Sequence, residues 1–86
     1  SEEVAGQMAQ GALDQSDAQL AVAVTGIAGP GGSDHKPEGR VCFAIATKAD
    51  TPKTQTVEFG AIGRAEVRMA TTQHALSLLL AATDSL

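Results

Sequence analysis

An apolar run, Ala21-Val22-Ala23-Val24, ends at Thr25 and opens into Gly26-Ile27-Ala28-Gly29-Pro30-Gly31-Gly32. Glycines directly after a strand let backbone N–H groups approach a ligand that side chains would hold away. In open α/β sheets, ligands bind just beyond the carboxyl ends of strands. Thr25–Gly32 is therefore the first place where this chain could hold a small molecule. The same spacing also suits a glycine-rich hairpin connection with no ligand. Five of the nine glycines fall between positions 26 and 39, and with Thr25 at the strand mouth they tilt the reading toward a ligand. Thr25 keeps two readings: a hydroxyl that caps the end of its own strand, or a donor aimed into the cleft there.

Two nucleotide motifs come close and fail. Gly26-x-x-x-x-Gly31 has the glycine spacing of a P-loop, but Gly32-Ser33 follows where Lys-Ser/Thr is required, and no helix comes next. A dinucleotide fingerprint started at Gly29-x-Gly31 meets Asp34 where its third glycine belongs. The loop offers backbone donors without a lysine of its own.

The second chemical element is Arg64, directly after Gly63 at the start of a helical pattern. A cation in the first turn opposes the helix dipole by about 0.3–1 kcal/mol. Backbone N–H groups at the same place favour anions. Either Arg64 is an exposed arginine paired with Glu66 or another carboxylate, or Arg64 and the helix start together hold a phosphate or carboxylate. Arg68, one turn on, is a second clamp or a surface charge. His35, in the hydrophilic Ser33-Asp34-His35-Lys36 run, reads as solvated, and Ser33 as a turn residue. His74 reads as a satisfied, partly buried residue of the helix. Neither histidine has a partner at metal spacing, and the lone Cys42 has none for an internal disulfide.

These residues need elements to position them. Ser1-Glu2-Glu3 has the hydroxyl cap and acidic first turn of a helix start. Val4, Met8, Ala12 and Leu13 follow at helical spacing as its apolar face. Gly6 and Gly11 weaken that helix by about 1 kcal/mol each, and small residues there would allow close packing on a sheet. Leu20–Val24 reads as a central strand covered on both faces. Arg40–Thr47 is a second strand, with Val41, Phe43 and Ile45 on one face and Cys42, Ala44 and Ala46 on the other. A turn at Lys48–Pro52 leads to Lys53–Phe59, whose alternation suits an edge strand. Short loops make the second strand antiparallel to its neighbours. Gly60–Gly63 then leads into a long helix, 64–83. Its stripe of Val67, Ala70, Thr71, His74, Leu78 and Ala81 is widened by Ala75, Leu76, Leu79, Leu80 and Ala82, so it needs cover on more than one side. The order α-β-β-β-α has too few elements to supply it, which points to a partner half or a second copy.

Bulk properties narrow the partners. Eighty-six residues make one domain at most, and a chain of this size buries only about 60–65% of its unfolded surface. With two phenylalanines and no tryptophan or tyrosine, the core must be built from Ala, Val, Leu and Ile. A net charge of −4 with six scattered basic residues argues against nucleic acid. No apolar run is long enough for a membrane span. A soluble cytoplasmic protein is expected, and the start on Ser1 suggests a trimmed piece of something longer.

Thr25–Gly32 (TGIAGPGG), Lys36–Ala46 (KPEGRVCFAIA) and the Phe59-Gly60-x-x-Gly63-Arg64-x-x-x-Arg68 element together resemble the C-terminal domain of the CinA family, the nicotinamide-nucleotide amidases. The resemblance runs over nearly the whole chain but to the second half of that domain only. It implies a three-layer α/β/α fold with a mixed five-stranded sheet, three strands of which lie here. It implies hydrolysis of nicotinamide mononucleotide to nicotinate mononucleotide and ammonia, without metal or other cofactor. Thr25 matches the threonine of the family's TG-x-AGP motif and Arg64 the arginine of its G-x-x-GR element, which implies catalytic roles. Gly26, Ile27, Ala28, Gly29, Pro30, Gly31, Gly32 and Arg68 would be substrate-binding. Family members commonly carry a third consecutive glycine in this loop. The family's serine nucleophile, in a Ser-Cys-Thr-Gly-Gly setting, and its helper lysine and tyrosine belong to the other half. The expected partners are thus a nucleotide substrate, a complementary N-terminal half and further copies in a homo-oligomer; alone, the chain should be inactive.

Overall fold

The structure is a computed structural model that describes residues 1–26 and 37–84. Its elements run α1 (Glu2–Asp14), β1 (Leu20–Thr25), β2 (Arg40–Thr47), β3 (Lys53–Glu58) and α2 (Arg64–Thr83). Each element forms where the sequence places it. Ser1 caps α1 by accepting the Val4 N–H at 3.2 Å, with Glu2 and Glu3 over the positive end of the dipole.

The strands form a meander in the order β1-β2-β3, antiparallel throughout. The register pairs Thr25 with Cys42, and Cys42 with Thr56. β1 is covered on both faces, as expected, and among the described residues it pairs with β2 alone; β2 lies between β1 and β3, the neighbours its connections predict.

Alternation along the strands divides the core in two. On one face Cys42, Ala44, Ala46 and Ala23 pack against Ala5, Ala9 and Leu13 of α1. On the other, Val41 and Phe43 pack against Val67 of α2, with Val24, Val57, Phe59, Ala75 and Leu78 at the margin. One helix on each face makes three layers. Phe43 and Val41 are the largest fully buried side chains, so α2 covers the bulkier face.

α1 packs through a different face from the one that hydrophobicity suggested. Ala5, Gly6, Ala9 and Leu13 are buried, while Val4 and Met8 are about half exposed (45% and 50%) and Ala12 is exposed. Small residues let the helix axis approach the sheet more closely than valine and methionine would. At Gly6, a Cβ would already meet Thr54 Cγ2 at 3.5 Å. Gly11 has open space around it and serves no such contact.

Along α2, Val67 and Thr71 are buried, and Ala70, His74, Ala75, Leu78, Leu79 and Ala82 are half-buried. Ala81, expected in the buried stripe, is exposed, because the last turn runs past the edge of the core. Met69, Leu76 and Leu80 also stand exposed, Leu80 at 70%. α2 lies chiefly over β1 and β2, and one side of it meets nothing among the described residues.

Candidate functional site

Strand direction decides which ends meet. β1 finishes at Thr25, β2 begins at Arg40, and β3 finishes at Glu58, all at one end of the sheet. After five intervening residues α2 begins at the same end, since its early Val67 belongs to the cluster that Val24 packs against. Thr25, Gly26, Arg64 and Arg68 are thereby drawn to one rim of the molecule. Ile27, Ala28, Gly29, Pro30, Gly31 and Gly32, with Ser33 and His35, lie outside the described residues.

Within that rim the two principal candidates stand on different faces. Thr25 shares the side of Cys42 and α1 by alternation with Ala21 and Ala23; α2 covers the other side. Thr25 and Gly26 are half-buried, whereas Arg64 and Arg68 are exposed. Neither of two grooves on the surface, one beside the Thr47–Lys53 turn and one between α1 and Thr54, is lined by Thr25 or Arg64. The first, a groove of about 570 Å³, lies at the opposite end, where Leu78, Ala81 and Ala82 face Ile45 and the Thr47–Lys53 turn. It shares no residue with the predicted site.

The start of α2 has the features of an anion site. Gly63 precedes it at φ 96°, and no side chain caps the first turn. The N–H of Val67 is taken by the Gly63 carbonyl at 2.9 Å. Among the described residues no side chain accepts from the amides of Arg64, Ala65 and Glu66, and Glu66 does not pair with Arg64. Among the described residues the ion pair formed is Arg40–Glu58, at 2.6 Å. Arg64 is exposed, and among the described residues no carboxylate pairs with it.

Behind the rim the chain is held by polar contacts. Arg40 donates to Glu58 Oε1 through Nε at 2.9 Å and Nη2 at 2.6 Å, and Phe59 N–H donates to the Gly39 carbonyl at 3.0 Å. Sequence reasoning passed over this staple: Gly39 counted only as one glycine of a rich stretch, and Arg40 only as the start of a strand. The cross-strand pairing of Arg40 with Glu58 was open to inference from the strand lengths and the turn between them.

His74 fills the expected structural role. Its Nε2 lies 2.6 Å from Gln55 Oε1, so Nε2 carries a proton and donates it. The ring packs on Phe43, with centroids 4.5 Å apart. Cys42 is buried and unpaired, with Sγ 3.5 Å from Thr56 Oγ1. No group of three potential metal ligands gathers among the described residues, and no described helix is long and apolar enough to cross a membrane. Amide hydrolysis needs a nucleophile, an acceptor for its proton and donors for the developing oxyanion. Only the donors are found on this rim.

A three-layer domain with glycines and cationic residues at one strand end defines a class; comparison with known proteins supplies the family. The CinA C-terminal domain matches residues 1–83, and the chain belongs to that family. A CinA-like protein of Mycolicibacterium gilvum (strain PYR-GCK) is 48% identical over 80 residues, covering 92% of this chain and 19% of the relative. A CinA-like protein of Mycobacterium tuberculosis (strain ATCC 25177 / H37Ra) is 44% identical over the same length, covering 92% of this chain and 18% of the relative. The crystal structure of the competence/damage inducible protein CihA from Agrobacterium tumefaciens superposes with a TM-score of 0.85 at 49% identity, over 94% of this chain and 50% of that one. The chain thus spans about a fifth of those curated relatives and half of the solved structure.

Proposed function

We propose that this chain is the C-terminal half of a nicotinamide-nucleotide amidase domain. The complete domain hydrolyses the ring carboxamide of nicotinamide mononucleotide, adding water to yield nicotinate mononucleotide and ammonia. The observation that carries the reading is Arg64: a cation with no counter-charge among the described residues, at an uncapped helix start, on the rim where β1 ends at Thr25. An unneutralised cation beside free amides suits a phosphorylated substrate. This half supplies the substrate side, Thr25 and the loop from Gly26 to Gly32 with Arg64 and Arg68, and no nucleophile. The serine and its basic helpers come from the complementary half, which also covers the free edge of β1 and the exposed leucines of α2.

The test is Arg64→Ala in the complete domain, followed by ammonia release from nicotinamide mononucleotide. We expect kcat/KM to fall by about 100-fold or more. A rise in KM alone assigns Arg64 to the phosphate; a fall in kcat assigns it to the carboxamide. Unchanged turnover at unchanged stability removes Arg64 from the site. Tight binding of the nucleotide by the complete domain with no ammonia released would make it a binding module instead.

A further inference from the structure

Gly39 is buried and held at φ +80°. A Cβ placed on it would overlap the carbonyl oxygen of Gly60 and lie 2.6 Å from its nitrogen and 2.8 Å from its carbonyl carbon. The obstruction is backbone, which cannot rotate aside as a side chain does. Gly60 differs. It too has a positive φ, +84°, but a Cβ there would point into open space, as at Gly63 with φ +96°. Positive φ alone admits asparagine at modest cost. Gly60 is therefore required for its conformation only, and Gly39 for conformation and space together.

The two segments that touch lie at the rim where Thr25 and Arg64 stand. Gly39 ends the return from the glycine loop, just before β2, and Gly60 opens the approach to Arg64. On the strand side the chain is fixed by the Phe59-to-Gly39 hydrogen bond, 3.0 Å, and by the Arg40–Glu58 pair. The approach 60–63 has one backbone hydrogen bond of its own, Ile62 N–H to Gly60 O at 3.0 Å. A side chain at position 39 would accordingly push the approach outward rather than part the strands. We infer that Gly39 is a positioning residue, whose missing side chain sets where the first turn of α2, with Arg64, stands relative to the end of β1 at Thr25. The inference rests on the functional reading above, because it is that reading which makes their spacing matter.

The experiment compares Gly39→Asn with Gly60→Asn in the complete protein, asparagine being tolerant of positive φ in both. Three quantities are read: the melting temperature, kcat and KM for nicotinamide mononucleotide, and the amide chemical shifts of Arg64–Val67. A misplacement near 1 Å costs about 100-fold, so Gly39→Asn is expected to lower kcat/KM by about that factor, mainly through KM, with Gly60→Asn within about twofold of the parent. The α2 first-turn amides should move in Gly39→Asn and hold in Gly60→Asn. Equal behaviour of the two variants, or unmoved amides in Gly39→Asn, overturns the proposal. A parent protein that releases no ammonia sinks the amidase reading alone, since the amide shifts still decide the role of Gly39. Should Gly39→Asn not fold, a glycine inserted between Ala61 and Ile62 loosens the same spacing without a clash. It is expected to fold and raise KM likewise; full turnover by that variant overturns the inference.

Discussion

At the scale of single residues, two polar side chains make contrasting contributions. Glu2, in the first turn of α1, accepts the Thr56 hydroxyl at 2.6 Å and the Thr54 hydroxyl at 3.0 Å. Those donors, Thr56 first, hold its carboxyl below the ordinary glutamate range. A lowered folded pKa means that the unfolded chain takes up protons first as pH falls. The contribution is therefore complete above the ordinary glutamate range and is lost as pH drops through the folded value. Urea midpoints of the parent and Glu2→Gln should differ at neutral pH and converge under acid conditions. Thr71 behaves oppositely: its hydroxyl is buried with no hydrogen-bond partner among the described residues. An unsatisfied buried hydroxyl costs about 1–3 kcal/mol. Thr71→Val, nearly equal in shape, should raise stability by about 1 kcal/mol in chemical denaturation.

At the scale of elements, α1 and α2 meet the sheet by different means. α1 approaches through Ala5, Gly6 and Ala9, so its face has small residues where a moment calculation would look for large ones. Gly6→Ala places its methyl in ordinary contact with Thr54 Cγ2 at 3.5 Å, and Gly11→Ala meets nothing. Each substitution should stabilise the domain by about 1 kcal/mol from helix propensity. Gly6→Leu should destabilise it, which thermal melts would register. On the opposite face Phe43 is fully buried among Val41, Val67 and the His74 ring. Phe43→Ala should cost about 3–5 kcal/mol, enough to unfold a domain this small. Retention of a cooperative melt would mean that this face is less tightly packed than the structure shows.

At the scale of the whole molecule, the chain is thin for its length. Its radius of gyration is 13.2 Å, against about 12 Å for a compact domain of this size, and its principal extents are 38 × 22 × 17 Å. Among the described residues β1 leaves one edge unpaired, and α2 leaves Met69, Leu76 and Leu80 exposed. A solved relative of twice the length is consistent with both features belonging to an interface. Leu76→Glu with Leu80→Glu should change the melting of the isolated chain little, as exposed substitutions usually fall within about 0.5 kcal/mol. The same pair should abolish association with a separately produced complementary half in sedimentation. Undiminished association would move the interface elsewhere.

The element order and bounds were legible in the sequence because local rules set them: hydroxyl capping at Ser1, strand alternation through Arg40–Thr47, and the apolar stripe of 64–83. The TGIAGPGG and FG-x-x-GR motifs carried the family for the same reason, each being short and contiguous. Local periodicity could not report which face of α1 the sheet accepts, because closeness of approach depends on the partner surface and favours small residues over greasy ones. The gathering of Thr25 and Arg64 at one rim, on opposite faces, was settled by strand direction and helix placement. So was the meeting of Gly39 with Gly60, two residues 21 positions apart in the chain that approach only once β2 and β3 have paired.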